Sequence, residues 1–279
     1  MNKDNDMNKE NNLEQLLTIM QRLRDPETGC PWDKKQTFAS VVPHTIEEVY
    51  ELADAIEMQD FADLKGELGD LLFQVVFYAQ IAKEQGLFEF SDILETLNEK
   101  LVRRHPHVFS EVNFKDEQAV HENWEIEKQK ERLQKATEMK QQESVLDNIP
   151  LALPALNRAY KIQKRCANVG FDWAELEPVV AKIHEEIDEV LVEVQRTDLS
   201  EQQRQARIED ELGDLLFANV NLVRHLSANP ETVLRQANQK FEKRFRLVEQ
   251  EVLNQGKQMQ DCSLNDLDKI WNEVKKIKS

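Results

Sequence analysis

The heptapeptide ELGDLLF occupies residues 67–73 and recurs letter for letter at residues 211–217. Flanking motifs recur with it in the same order: EExxE at 47–51 and 185–189, and Asn-x-Lys with an arginine four residues after the lysine at 98–104 and 238–244. A tryptophan follows each copy, Trp124 in the first and Trp271 in the second. Ordered self-similarity of this kind indicates a duplicated structural module.

The repeated segments have the apolar spacing of helices, and so does nearly all of the chain. With 7 glycines and 8 prolines in 279 residues, the chain lacks the frequent turns of an all-β protein. We therefore predict an all-α fold made of two tandem helical modules. The helix-boundary signals are caps at Asp60, Ser91 and Ser263, terminal glycines at 86 and 170, and a capping box of Thr45 with Glu48.

Composition along the chain predicts where the modules begin and end. Residues 1–12 are polar, lack the apolar segment of a signal peptide, and are expected to form a disordered tail, so that the first helix begins near Leu13. Residues 13–140 then form the first module and residues 154–279 the second. The linker is expected at residues 141–153, where polar residues precede Pro150.

The charge balance restricts the possible partners. The chain has 36 basic and 53 acidic residues, a net charge of −17. Broad binding to nucleic acid or to an anionic membrane needs surplus Lys and Arg, so neither is expected here. The sequence has no run of about 18 apolar residues, so no membrane-spanning helix is predicted. The three cysteines form no CxxC pair, which argues against a disulfide framework or a zinc site and favours a reducing, cytoplasmic location.

The repeated acids favour a metal site. Glu186 and Glu189 share one helix face, and Glu211 and Asp214 share a face of the next helix. Helices joined by a short loop pack antiparallel, which would bring these four carboxylates together. Crowded carboxylates repel one another, and a hard cation such as Mg²⁺ or Mn²⁺ relieves that repulsion. The equivalent, weaker set in the first half is Glu48, Glu51, Glu67 and Asp70.

Two simpler interpretations stay open for these acids. Glutamate is common on solvated helix faces, and Glu48 could be used by the capping box with Thr45. Gly69 and Gly213 lie in the middle of predicted helices, where Gly costs about 1 kcal/mol relative to Ala. That cost suggests a close approach of another backbone, although helix packing alone could also require it.

Basic residues follow each acidic set. Lys240, Lys243 and Arg244 cluster on one helix, as Lys100, Arg103 and Arg104 do in the first half. In an acidic chain such clusters are candidates for phosphate contacts, the alternative being surface ion pairs with Glu242 or Glu249. Trp124 and Trp271 could stack on a base or could belong to the core.

EExxE followed by ELGD and LLF resembles the MazG family of nucleoside triphosphate pyrophosphohydrolases. GCPWD at 29–33 and RRHPHVF at 103–109 resemble the two-module bacterial members in particular. The resemblance covers roughly residues 13–278. It implies four-helix-type modules that form homodimers. It also implies Mg²⁺-dependent cleavage of nucleoside and deoxynucleoside triphosphates between the α and β phosphates, which gives a nucleoside monophosphate and pyrophosphate.

The resemblance also implies roles for single residues. The metal ligands would be Glu186, Glu189, Glu211 and Asp214, and the contacts to a nucleotide such as ATP would come from Lys182, Lys240, Arg244 and Trp271. Lys243, beside Lys240 and Arg244 in the basic cluster, is a further candidate contact. Glu185 lies outside the set of metal ligands, and our own hypothesis is that it orients or deprotonates the attacking water. By the pattern of tandem members, the second module is expected to be catalytic and the first to support assembly.

Two other functions are compatible with the residues. The first keeps the fold but restricts the range of substrates, as in all-α dUTP or phosphoribosyl-ATP pyrophosphohydrolases. Turnover of a panel of nucleotides would distinguish such an enzyme from one that accepts many triphosphates. The second is a helical regulatory module that binds nucleotide without cleaving it. Metal-dependent release of pyrophosphate would exclude that function.

Overall fold

A computed structural model describes residues 4–139 and 144–277 of the chain. The chain divides into two compact units, Met1–Glu131 and Arg132–Ser279. Within the described residues all regular secondary structure is helical, which confirms the predicted all-α class. The division between the units precedes the linker predicted at residues 141–153, and residues 140–143 lie outside the described part.

The first unit is built from helices that begin close to the N-terminus. They are α1 (Asp4–Leu23), α2 (Phe38–Met58), α3 (Phe61–Glu84), α4 (Phe90–Arg104), α5 (Pro106–Phe109) and α6 (Glu117–Met139), the last of which extends past the unit boundary. Residues 4–12 are therefore helical where the sequence suggested a disordered tail. Asn and Asp, which are poor helix formers, make up six of these nine residues, but extending an existing helix avoids the costly nucleation step.

The second unit repeats the central helix pair of the first. Its helices are α7 (Ala155–Ala167), α8 (Leu176–Gln195), α9 (Glu201–His225), α10 (Pro230–Asn254) and α11 (Leu264–Ile277). The most extensive helix contacts are those of α2 with α3 and of α8 with α9. These are the pairs that carry the repeated acidic motifs, so the duplicated unit of sequence is also a duplicated unit of structure.

Most predicted helix ends are confirmed. The Asp60 side chain accepts the backbone N–H groups of Ala62 and Asp63 at 3.1 Å each, which caps α3. Gly86 and Gly170 have φ angles of 67° and 87°, the left-handed conformation that ends α3 and α7. These local signals work because each depends only on residues within one helical turn.

The predicted capping box of Thr45 with Glu48 is wrong. Helix α2 begins eight residues earlier, at Phe38, with a capping box formed by Thr37 and Ser40. The Thr45 hydroxyl lies inside the helix and contacts the Tyr78 hydroxyl at 2.9 Å. A cap at Ser91 is likewise replaced by one at Glu89, since α4 begins at Phe90. Glu48 is therefore not used by a helix cap and faces α3.

Each unit has its own apolar cluster. Met20, Val41, Phe77 and Ile81 are buried in the first, and Val248, Val252, Ile270 and Val274 in the second. The three cysteines are free thiols, as predicted. Among the described residues, no helix combines the length and apolarity needed to cross a lipid bilayer.

Candidate functional site

Helices α8 and α9 bring together three of the acids predicted to bind a metal. One carboxylate oxygen each from Glu186, Glu211 and Asp214 lies within 4.8 Å of the other two. Glu186 is buried, with 4% of its surface exposed, while Asp214 faces solvent. The connection between α8 and α9, residues 196–200, is longer than the connection between α2 and α3, residues 59–60, and it does not prevent this convergence.

The first half contains the same arrangement. Glu48 on α2 and Glu67 and Asp70 on α3 place carboxylate oxygens within 4.8 Å of one another. Burial raises the pKa of Glu48, and the neighbouring Asp70 and Glu51 carboxylates raise it further. The pKa of Glu67 is also raised, by desolvation first and then by Glu51. Burial is the main cause of both pKa shifts, and the crowding of acids that the sequence predicted adds to it.

The fourth acid of the second set lies beside this group. Loss of hydration raises the pKa of Glu189, and an interaction with the Glu186 carboxyl group adds to the rise. Glu189 is exposed and does not join the three-carboxylate group. Its role as a ligand therefore stays a prediction, as does that of Glu51 in the first half.

Lys182 neutralises part of the negative charge of the second cluster. Its Nζ lies 2.7 Å from Glu186 Oε1 and 2.8 Å from Glu185 Oε1. Hydrogen bonds to Glu185 and then to Glu186 raise the pKa of Lys182, so the ammonium stays charged. Lys182 thus lies at the acidic cluster, where a phosphate contact was predicted, and it holds Glu185 next to the same cluster.

The residues fit a divalent cation. Glu186 Oε2 is buried and has no hydrogen-bond partner, and the same is true of Glu67 Oε2 in the first cluster. A buried carboxylate oxygen without a partner is costly, and a hard cation satisfies it directly. The donor set consists only of carboxylate oxygens, which suits Mg²⁺ or Mn²⁺ better than zinc.

A cavity of about 550 Å³ opens beside the second cluster. Lys182, Glu186 and Asp214 line one part of it. The remaining walls come from α7, from the loop before α8, and from α9; they include Gln163, Asp172, Trp173, Ala218, Asn221 and Arg224. Sequence reasoning missed these six residues, because they come from three separate segments with no shared motif.

The other predicted substrate contacts lie elsewhere in the unit. Lys240, Lys243 and Arg244 line a separate groove of about 260 Å³ on α10, together with Gln236 and Gln239. Trp271 packs against Phe241 with 5.1 Å between ring centroids. None of these side chains is among the residues that line the cavity beside Glu186. Their contacts with a nucleotide stay predictions.

The basic residues of the first half are held by an acid. Arg104 and Arg103 pair with the Glu131 carboxylate at 2.6 Å and 2.5 Å. A hydrogen bond from Arg104 is the main cause that lowers the pKa of Glu131, to about 2. The Trp124 indole donates to the Arg104 carbonyl at 2.9 Å, so this tryptophan serves the structure of the unit.

The helical glycines do not touch another backbone. A Cβ added at Gly69 or Gly213 would meet no atom within 4 Å among the described residues. The close approach that the sequence suggested therefore does not occur within either unit.

Comparisons with known proteins agree with the duplicated site. The model of the MazG nucleotide pyrophosphohydrolase domain matches residues 36–109 and again residues 175–248, so each match contains one acidic cluster. A protein of Escherichia coli K12 named nucleoside triphosphate pyrophosphohydrolase is 56% identical over 95% of this chain and 98% of its own length. A relative from Thermotoga maritima, named nucleoside triphosphate pyrophosphohydrolase/pyrophosphatase MazG, is 42% identical over 94% of this chain and 95% of its own length.

One solved structure, of a MazG-related protein from Thermotoga maritima, matches 42% of this chain and 98% of that chain, with 27% identity and a TM-score of 0.36. The family match and the two full-length relatives include both copies of the helix pair that carries the carboxylates. The chain therefore belongs to the MazG nucleotide pyrophosphohydrolase family.

Proposed function

We propose that this chain is a metal-dependent nucleoside triphosphate pyrophosphohydrolase whose second half carries the catalytic site. It cleaves nucleoside and deoxynucleoside triphosphates between the α and β phosphates and releases a nucleoside monophosphate and pyrophosphate. The observation that carries the proposal is the buried, unpartnered Glu186 oxygen in a carboxylate cluster that opens into a cavity. Names of the full-length relatives support the reaction class.

Glu186, Glu211 and Asp214, with Glu189 beside them, are the residues that would hold the cation. When bound, Mg²⁺ would neutralise charge on phosphate oxygens and lower the pKa of a water molecule. The protein's own contribution is to fix these oxygens on two packed helices before substrate arrives. Preorganised ligands of this kind need no rearrangement during the reaction.

Lys182 and Glu185 are placed to act on the substrate's phosphates and on water. Lys182 lies in the cavity wall and keeps its positive charge through its pairing with Glu185 and Glu186. A charged lysine next to a metal site can stabilise an extra phosphate oxygen. Glu185 is exposed and lies beside the cluster, where a carboxylate could orient or deprotonate the attacking water.

The second half is preferred over the first for a steric reason. Ala218 and Asn221 line the cavity in the second half, and the residues at the same distance after the heptapeptide in the first half are Gln74 and Phe77. Gln74 and Phe77 are buried, with 6% and 1% of their surface exposed. The first cluster therefore has packed side chains where the second has space for a nucleotide.

The products of the full-length chain test the proposal. Incubation of ATP with Mg²⁺ should give AMP and pyrophosphate by ³¹P NMR, and chelation by EDTA should stop the reaction until Mg²⁺ is restored. Glu211→Ala should abolish turnover and leave the helical circular dichroism spectrum unchanged. Release of ADP and orthophosphate, turnover in EDTA, or normal turnover by Glu211→Ala would each contradict the proposal.

We infer further that the chain forms a homodimer and acts in the cytoplasm. Support for dimerisation comes from apolar side chains left exposed on the catalytic helix pair, among them Leu191, Leu212 and Leu216. Free thiols agree with a reducing compartment. Light scattering coupled to size-exclusion chromatography should give twice the 32.6 kDa chain mass. A monomer at micromolar concentration would contradict the dimer.

A further inference from the structure

The cavity beside the second cluster extends well beyond the acids. Asp214, Phe217, Ala218, Asn221 and Arg224 all line it, and their spacing places them on one face of α9. Asn221 lies seven residues after Asp214, which is about 10 Å along a helix axis. A ligand with phosphates at the acids therefore extends its other end toward Asn221 and Arg224.

Gln163 has a hydrogen-bonding group that the protein leaves unused. Its side chain is buried, with 7% exposed, and it lines the cavity. The Nε2 group donates to the Phe217 carbonyl at 2.8 Å, and since a carbonyl only accepts, this contact fixes which end of the amide is the nitrogen. The Oε1 atom is buried and has no partner. It is an acceptor available to a donor in the cavity.

Asn221 has the complementary group. Its Oδ1 accepts from Arg224 Nε at 3.0 Å and from Arg224 Nη2 at 2.8 Å. Arginine only donates, so the oxygen of Asn221 must face Arg224 and the Nδ2 group is the end left over. Asn221 is also one helical turn beyond Phe217, whose carbonyl accepts from Gln163. The Gln163 amide on α7 thus contacts α9 one turn before Asn221.

An ion pair fixes the orientation of Asn221. Arg224 Nη2 donates to Asp172 Oδ1 at 2.6 Å, and only 10% of the Arg224 side chain is exposed. Asp172 is itself held by the backbone N–H of Trp173 at 3.0 Å. Because Asp172 holds the Nη2 group of Arg224, and Nε and Nη2 both donate to Asn221 Oδ1, the amide of Asn221 has one favoured orientation.

We propose that Gln163 Oε1 and Asn221 Nδ2 recognise the base of the nucleotide as an acceptor and a donor. The favoured substrates are nucleoside triphosphates whose base carries an N–H group next to an acceptor nitrogen or carbonyl. Arg224 and Asp172 are positioning residues that act through Asn221. The aromatic side chains of Trp173 and Phe217 in the same wall provide surfaces for the ring. The proposal rests on the proposed function, since it names how that site selects its substrate.

A substrate that lacks one hydrogen-bonding group tests the Gln163 contact. Purine riboside triphosphate is ATP without the exocyclic amino group. We expect the wild-type chain to turn it over with kcat/KM lower by about tenfold or more, because a buried acceptor is left unpaired. Gln163→Leu should lower kcat/KM for ATP to the value of the analogue and leave the analogue unchanged. Gln74→Leu, a matched change at a buried amide of the first half, should leave the ratio of kcat/KM for ATP to kcat/KM for the analogue unchanged.

The Asn221 contact is tested by a variant of the same size. Asn221→Asp keeps the acceptor for Arg224 and removes the donor, so KM for ATP should rise about tenfold or more while kcat stays within twofold. Arg224→Lys should raise KM for ATP in the wild-type background and have no further effect in Asn221→Asp. A purely structural role of Arg224 would instead give additive effects in the double variant.

The outcomes separate this proposal from the proposed function. If wild-type chain releases no pyrophosphate from any triphosphate, the function itself is wrong. Suppose that the chain cleaves ATP, but kcat/KM is nearly the same for ATP and for the analogue. Then only the base contact is wrong, and the same holds if neither Gln163→Leu nor Asn221→Asp changes the ratio of the two kcat/KM values. Thermal melts confirm that each variant folds, and the comparison of two substrates on the wild-type chain needs no variant at all.

Discussion

The two halves of the chain repeat the same acidic cluster and differ in what lies beside it. In the first half, Gln74 donates to Glu48 at 3.4 Å and Phe77 is buried in the apolar cluster. The corresponding residues after the second heptapeptide are Ala218 and Asn221, which line a cavity. The two clusters therefore differ in the volume of two neighbouring side chains, and only beside the second cluster do these positions line a cavity.

The basic side chains near the acidic clusters also differ between the two halves. Arg103 and Arg104 are held by Glu131, whereas Lys240, Lys243 and Arg244 have no ion-pair partner among the described residues. Lys182, three residues before the repeated EExxE, corresponds to His44 in the first half, which lies 3.9 Å from Glu47. Arg103 and Arg104 are thus held by an acid of the first unit. In the second half Lys182 pairs with acids of the carboxylate cluster, and the basic residues of α10 line a groove.

The largest expected difference is in catalysis. Asp214→Asn should lower kcat/KM for ATP at least about a hundredfold, because it removes one carboxylate from the group that holds the cation. Asp70→Asn, the same change in the first cluster, should alter kcat/KM by less than twofold. Pyrophosphate release measured for both variants at saturating Mg²⁺ decides between them. Equal losses would mean that the halves share the work.

The stability of the first half should depend on Glu131. Its pKa is lowered from 4.5 to about 2, so its contribution to the free energy of unfolding is present above pH 4.5 and is lost as the pH falls toward 2. Glu131→Gln should therefore reduce that free energy by about 2 kcal/mol at pH 7, after allowance for solvent screening, and by little at pH 2. Urea titrations at the two pH values measure this. Arg244→Gln is the contrasting variant, since it should lower activity without a comparable loss of stability.

Exchange of the residue after the heptapeptide should convert one half toward the other. Ala218→Gln copies Gln74 into the cavity wall and should raise KM for ATP by about tenfold, because the side chain takes space from the nucleotide. Gln74→Ala should leave KM unchanged, since the proposed function assigns substrate binding to the second half. Steady-state kinetics on both variants measure this. A KM for Ala218→Gln equal to that of the wild type would mean that the nucleotide does not use this wall.

The carboxylate cluster could be predicted from the sequence, and the cavity could not. Glu186, Glu211 and Asp214 were found because helical spacing assigns a face to each residue within a few turns. The hydrogen bonds of Gln163 with Phe217 and of Arg224 with Asp172 join residues more than 50 positions apart. No local pattern encodes such contacts, since they depend on how three segments pack.

Errors in the sequence analysis have a similar origin. The Thr45 to Glu48 spacing fits a capping box, but the same pattern of spacing exists between Thr37 and Ser40, where the chain in fact enters the helix. Both Thr37 and Thr45 have a suitable capping residue three positions later. Only the structure shows that the chain already enters the helix at Thr37. Gly213 shows the opposite problem, because its cost in a helix is visible in the sequence while the open space around it is visible only in the structure.

The smallest expected effect concerns the first cluster alone. Burial, then Asp70 and Glu51, raise the pKa of Glu48, so the folded chain binds a proton there more tightly than the unfolded chain does. The free energy of unfolding therefore falls as the pH rises through the raised pKa. At pH 7, in the absence of metal, the ionised Glu48 carboxylate destabilises the folded chain. Glu48→Gln should raise Tm by about 1 to 2 °C at pH 7 in EDTA. The gain should vanish below pH 4.5, where the wild-type carboxyl group is already protonated.

Magnesium should then reveal whether the first cluster still binds a cation. In the Asp214→Asn background, Mg²⁺ should raise Tm slightly, because the unpartnered Glu67 oxygen and its neighbours remain available. Adding Glu48→Gln should remove this rise, since the first cluster then lacks one of its three carboxylates. Differential scanning fluorimetry with and without Mg²⁺ measures both. If Mg²⁺ leaves the Tm of Asp214→Asn unchanged, the first cluster is a remnant of the duplication that no longer holds metal, and the two halves differ in the cage as well as in the cavity.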